Sequence, residues 1–125
     1  DDGLASVTRV VRGRDLLHSS PTHWSIQKLL GYPHPTYRHH FLFMENQQEK
    51  LAKFHGSVGA SELRKHYTPE QLVGLIAFGA GLLDHDRPTP AHNLIGTFSW
   101  DQIAERNRII EWTGEKLIYT ANPNP

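Results

Sequence analysis

The sequence predicts an α/β chain: a portion of a parallel sheet, incomplete as it stands, followed by a small helical region. Three observations predict it. Residues 7–11 and 37–44 are rich in β-branched or aromatic side chains and bracket a segment whose apolar residues recur at helical spacing. The second half carries two capping-box patterns, each ahead of apolar positions. Finally, 38% hydrophobic and 10% aromatic residues in a chain of 125 suffice for one modest core and argue against disorder.

The elements follow in order. Residues 7–11 are a β-branched run with Arg9 interleaved and reach a stop at Gly13, as a strand does. Ser20-Pro21 reads as an N-cap with Pro at the first helical position. Ile26, Leu29 and Leu30 then share one helical face, and Gly31 ends the helix. Pro33 and Pro35 enforce an extended connection to a second strand at 37–44, whose Phe41–Met44 end is apolar enough to be central. A polar turn at 45–49 precedes Lys50-Leu51-Ala52-Lys53. Strand–helix–strand normally means a crossover onto a parallel sheet. Beyond it, 60–67 reads as a short helix, and Thr68-Pro69-Glu70-Gln71 opens a densely apolar one. Residues 87–90 form a loop, Ser99-Trp100-Asp101-Gln102 starts a further helix carrying Ile103 and Ile110, and 121–125 is a tail. Two parallel strands make a poor sheet by themselves. The expectation is therefore a chain that needs further N-terminal residues or a partner, against which a cooperatively unfolding monomer would speak.

Composition narrows the chemistry. With no cysteine there is no disulfide, thiolate metal site or Cys nucleophile, which fits a reducing, cytoplasmic setting. No apolar run reaches the roughly 20 residues that span a bilayer, so no membrane partner is expected. The zero net charge divides into +3 over residues 1–66 and −3 over 67–125, so a phosphate-bearing partner meets the first half more favourably.

Two stretches can carry chemistry. Arg12-Gly13-Arg14-Asp15 lies at the carboxyl end of the first strand, where open α/β sheets bind ligands. Arg12 offers a permanent charge and a fork suited to carboxylate or phosphate. Equally, it can pair with Asp15 across the turn. Lys50 and Lys53, three apart in a loop, can reach one polyphosphate, or be an ordinary solvated pair. The histidines in the first half lack the spacing of a zinc site: His18 and His23 are five apart, and adjacent His39 and His40 point to opposite strand faces. No zinc is expected.

Taken in order, Arg-Gly-x-Asp-Leu at 12–16, Ser-Ser-Pro-Thr-His at 19–23, a helix ending Leu-Leu-Gly at 29–31, Pro-x-Tyr-x-His at 35–39 and Lys-Leu-Ala-Lys at 50–53 resemble the glutamate branch of class I aminoacyl-tRNA synthetases. Residues 1–4 look like the acidic turn before that Arg-Gly strand. Motif order is matched over about residues 1–82, and 67–83 and 98–103 look like the helical region after the lysine loop. The resemblance implies an incomplete Rossmann-like second half of the catalytic domain at 1–58 and a helical, stem-contact-like region at 59–120. It also implies ATP with Mg2+ as cofactor, glutamyl-adenylate formation and transfer to tRNA. Arg12 matches the arginine that binds glutamate, and Asp15 falls in the same substrate-binding segment. Lys50 and Lys53 match the signature lysine loop, with Lys53 at the lysine contacting ATP phosphates. His39 matches a family histidine to which no role attaches.

The departures are Ala52, where the loop usually has Ser, and Phe54, where it usually has a polar residue. The His-Ile-Gly-His-type ATP motif of the family's first half does not occur in these 125 residues. The expectation is a truncated synthetase, inactive unless joined to a separate N-terminal half or another copy. Ala52 and Phe54 motivate the alternative of a non-catalytic tRNA- or protein-binding module on the same fold.

Overall fold

The computed structural model describes residues 2–45 and 59–120, divided between two compact units, Asp1–Leu42 and Phe43–Pro125. The lysine loop, with Lys50 and Lys53, lies outside the described residues. So do Ala52, Phe54 and the 121–125 tail.

The first unit is strand–helix–strand. Strand β1 (Arg9–Gly13) leads through a 3-10 turn (Arg14–Ser19) into helix α1 (Ser20–Leu29), and Pro33 and Pro35 lie in the connection to strand β2 (Thr36–His40). The two strands are parallel, with Arg12 opposite His39 and Gly13 opposite His40. The strand expected over 37–44 is cut short. β1 ends at Gly13, so its ladder with β2 stops at His40. Phe43–Met44 forms strand β3 in a different sheet. The helix begins one residue earlier than expected: Ser19 is the cap and makes no side-chain capping bond, while Ser20 is already helical. Gly31 turns the chain at φ +71°.

The apolar stripe of α1 is a second difference. No residue of α1 is buried, and Leu29 and Leu30 are 87% and 64% exposed. Two strands about 4.8 Å apart cannot cover the apolar face of a helix about 10 Å wide.

In the second unit, helix α2 (Ala60–His66) precedes helix α3 (Pro69–Ala80), the short helix α4 (His92–Ile95) and a 3-10 turn (Trp100–Gln102). The capping box at α3 forms as expected: the Gln71 amide donates to Thr68 Oγ1 at 3.3 Å and the Thr68 amide donates to Gln71 Oε1 at 2.8 Å. Gly81, at φ +87°, terminates the helix in the left-handed region.

The expectation of an all-helical second half is overturned. The Ser99 pattern yields only one 3-10 turn, with the Ser99 hydroxyl accepting from the Asp101 amide. Ile110, assigned to a helix by the sequence reading, lies instead on strand β4 (Arg108–Trp112), which hairpins into strand β5 (Leu117–Tyr119). β4 pairs parallel with β3 and antiparallel with β5, so the second unit has a mixed three-stranded sheet. The physical reason is local. Ile109, Ile110 and Trp112 favour a pleated surface, and Gly114 at φ +97° closes the turn. The class is thus mixed α/β in both units.

The core of this unit forms where α3 meets the sheet. Leu75, Ala77, Ala80 and Ile110 are buried, Ile110 at 1% exposure. Tyr119 sends its hydroxyl onto α3, donating to the Leu75 carbonyl at 2.8 Å and occupying the space a side chain at Gly79 would take. Burial raises the Tyr119 phenol well above its ordinary value. Arg108 Nε donates to the Gly79 carbonyl at 2.9 Å. Gly74 lets the backbone carbonyl of Arg87 approach so closely that a Cβ there would overlap it. That loop is held by the Thr89 amide, which donates to Glu70 O at 2.9 Å.

Gly74→Ala therefore sets a helix gain of about 1 kcal/mol against a backbone clash whose overpacking cost is about 1–3 kcal/mol or more. Net destabilisation is expected as a lower urea midpoint. Gly96→Ala, where an added Cβ meets nothing within 4 Å, should leave that midpoint in place.

Candidate functional site

The site is built at the carboxyl end of β1. Because β1 and β2 are in register at Arg12 and His39, those side chains meet directly across the ladder. The alternation of β2 puts Tyr37 on the same face as His39. The 3-10 turn then returns the Leu16 carbonyl toward Arg12, and the start of α1 contributes Ser20 and His23.

The Arg12 guanidinium is the hub. Its Nε donates to His39 Nε2 at 3.0 Å, its Nη1 to His23 Nδ1 at 2.9 Å, and its Nη2 to Ser20 Oγ at 2.8 Å and to the Leu16 carbonyl at 3.2 Å. Tyr37 lies against its flat face, with the guanidinium carbon 4.5 Å from the ring centroid. An arginine only donates, so both imidazole nitrogens facing it are unprotonated. The Ser20 hydroxyl, accepting from Arg12, has its own proton available for His39 Nε2 at 3.2 Å. Burial, then the charges of Arg12, Arg14 and His40, hold the His39 pKa below its ordinary value, which keeps the imidazole a neutral acceptor.

The consequence is electrostatic. Every hydrogen-bond partner of Arg12 is neutral, and among the described residues no carboxylate forms an ion pair with it. The expected alternative of an Arg12–Asp15 pair is not what forms; the Asp15 carboxylate instead lies over the bare Cα of Gly13, where a Cβ would overlap it. Arg12 thus keeps its full positive charge, oriented by five groups and neutralised by none among the described residues.

A cavity of about 410 Å³ opens beside it, lined by Arg12, His23, Gln27, Tyr32, Tyr37 and Asp2, with Ile26 and Leu30 supplying apolar wall. Gln27 Nε2 donates to the Tyr37 hydroxyl at 2.9 Å and fixes that ring. Asp2 is carried on the N-terminal turn, where Val7 N donates to Asp2 O at 3.0 Å. The cavity therefore presents a cation and an anion.

Of the residues singled out by sequence, Arg12 lies in the cavity wall, whereas Asp15 lies against Gly13 and is not among the lining residues. Lys50 and Lys53 fall outside the described residues. Sequence reasoning missed Ser20 and His23, both in the Ser-Ser-Pro-Thr-His segment read for its helix start. It also missed Tyr37, whose two-residue spacing from His39 was the available signal. Among the described residues no group of three or more His, Asp or Glu comes together to hold a metal ion. Among them, too, no helix is long and apolar enough to cross a membrane.

No family model matches the chain. Curated relatives do. The chain is 38% identical over 104 residues to a glutamyl-Q tRNA(Asp) synthetase of Symbiobacterium thermophilum, an alignment covering 82% of this chain and 32% of that protein. It is 37% identical over 99 residues to the glutamyl-Q tRNA(Asp) synthetase of Nocardia farcinica, covering 78% and 30%. The chain is homologous to the glutamate-branch aminoacyl-tRNA synthetases. A glutamate–tRNA ligase of Syntrophus aciditrophicus aligns at 28% identity over 121 residues, 95% of this chain and 24% of the ligase. The chain spans about a third or less of the length of these relatives.

The His39 arrangement has a defined acid sensitivity. With its folded-state pKa depressed, the neutral imidazole stabilises the first unit fully above about 6.5, the ordinary value. That contribution falls away as pH drops below it. Protection factors of the β1 and β2 amides, taken relative to the intrinsic exchange rate at each pH, should therefore fall below about pH 6.5, and His39→Gln, which keeps an acceptor but does not titrate, should flatten the dependence.

Proposed function

We propose that this chain supplies the glutamate-binding side of an ATP-dependent glutamate-activating site whose product passes to tRNA. Arg12 carries the reading. It is a guanidinium held in place by neutral partners, with its charge left for a ligand, in a cavity that also holds Asp2. An amino acid fits that pair of charges, a carboxylate on Arg12 and the ammonium toward Asp2. Arg12 is the only cation among the described lining residues, whereas glutamate has two carboxylates. The second needs a donor from another segment, in keeping with a chain that matches only part of its relatives.

On this reading β1–α1–β2 is a piece of a Rossmann-like sheet. Residues 1–58 belong to the catalytic domain, and 59–120 to the stem-contact-like region after it. The carboxylate of bound glutamate attacks the α-phosphorus of ATP, pyrophosphate leaves, and the resulting adenylate passes its glutamyl group to tRNA. Lys50 and Lys53 neutralise the charge that develops on the phosphates, with Mg2+ as the family's counter-ion. Positioning the two reactants can account for about 7–11 kcal/mol of barrier reduction, so a chain with only one wall of the site is expected to be inactive by itself.

Glutamate-dependent ATP–pyrophosphate exchange is the test. None is expected from the chain alone, and activity is expected when it is mixed with the N-terminal portion of a glutamate-branch synthetase. Turnover by the chain alone contradicts the inactivity. Tight, salt-sensitive tRNA binding without turnover in the mixture favours the non-catalytic module. Arg12→Lys, which removes the planar fork, is expected to weaken glutamate binding by about tenfold to a hundredfold, read by titration of the chain's NMR signals.

A further inference from the structure

An arginine has five N–H bonds, and four of those on Arg12 are engaged: Nε with His39, one on Nη1 with His23, and two on Nη2 with Ser20 and Leu16. One Nη1 hydrogen remains. A carboxylate seeking the two-pronged contact that makes arginine selective needs a second, so one present partner has to leave.

The four are not equally replaceable. Leu16 offers a backbone carbonyl fixed by the 3-10 turn. His39 sits opposite Arg12 in the ladder, and its Nε2 also faces Ser20 at 3.2 Å. Ser20 is bound on both sides, by Arg12 and by His39. His23 differs. It is on α1, it lines the cavity, and among the described residues its one hydrogen bond is the 2.9 Å contact from Nδ1 to Arg12 Nη1. It holds, from the cavity side, the donor nearest the remaining free N–H.

We propose that His23 is a placeholder for the ligand carboxylate: its imidazole caps Arg12 Nη1 in the empty site and is displaced when an anion binds, while His39, Ser20 and Leu16 keep the guanidinium in position. The inference rests on the reading of Arg12 as the anion-binding group. His23 then lowers anion affinity by competing for the donor, and keeps the charged group solvated when no ligand is present.

The sign of the effect separates this role from a structural one. Removing a supporting contact weakens binding, whereas removing a competitor tightens it. Using the full chain, acetate and glutamate are each titrated while the ¹⁵N signals of the Arg12 guanidinium and His23 Nδ1 are followed. Both signals are expected to move together as the contact breaks. His23→Ala is expected to bind about three- to tenfold tighter than the parent. His23→Asn, which keeps an acceptor near the Nδ1 position, is expected to restore parental affinity. Acetate displacing His23 while glutamate does not would support the placeholder and sink the glutamate reading. The proposal is overturned if Arg12 shifts with His23 unmoved, if His23→Ala binds no tighter, or if neither carboxylate perturbs Arg12.

Discussion

The first unit is organised around one positive charge kept without a counter-charge among the described residues. Taking a guanidinium out of bulk water costs free energy unless its donors are met, and the nearest solution for a protein is a carboxylate. Here two imidazoles, a hydroxyl and a carbonyl meet the donors instead, and an aromatic ring covers one face. Neutral acceptors satisfy the hydrogen bonds and leave the electrostatic field in place. The parallel pairing of β1 and β2, the 3-10 turn and the start of α1 are each needed: the first delivers His39, the second the Leu16 carbonyl and the third both Ser20 and His23.

That design was half legible beforehand. Arg12 stood out by type and place, at the end of a β-branched strand before a glycine, and the strand–helix–strand order followed from apolar spacing. What surrounds Arg12 was not legible, because the residues concerned had more ordinary readings. Ser20 looked like a helix cap, yet the cap is Ser19 and the Ser20 hydroxyl serves Arg12. His23 and His39 looked like members of a histidine-rich half with the wrong spacing for metal. Register between strands, which sets Arg12 against His39, is a tertiary fact that no local pattern carries.

The second unit divides similarly. The Thr68 capping box is local chemistry and forms as read, and the Gly81 stop behind α3 is equally local. The C-terminal hairpin was misread because Ser99 begins a capping-box pattern, and one turn is all that pattern secures. The β-branched pair Ile109–Ile110, Trp112 and the Gly114 turn decide the outcome further along. Packing confirms their weight: Ile110 is the most buried apolar side chain among the described residues, and Tyr119 ties the hairpin to α3 through the Leu75 carbonyl. The small residues of α3 are the counterpart of that arrangement, since Gly74 and Gly79 yield their side-chain space to Arg87 and Tyr119.

At the other end of the chain, Gly3 lies so close under the Tyr32 ring that a Cβ there would strike it. The acidic wall of the cavity therefore has a different mechanical footing from the basic one. Arg12 is anchored by strand pairing, whereas Asp2 is located by a short turn resting on a single aromatic plate just past α1. Loosening that plate would unseat the anion while leaving the cation where it is, and the cavity would then present a positive charge alone.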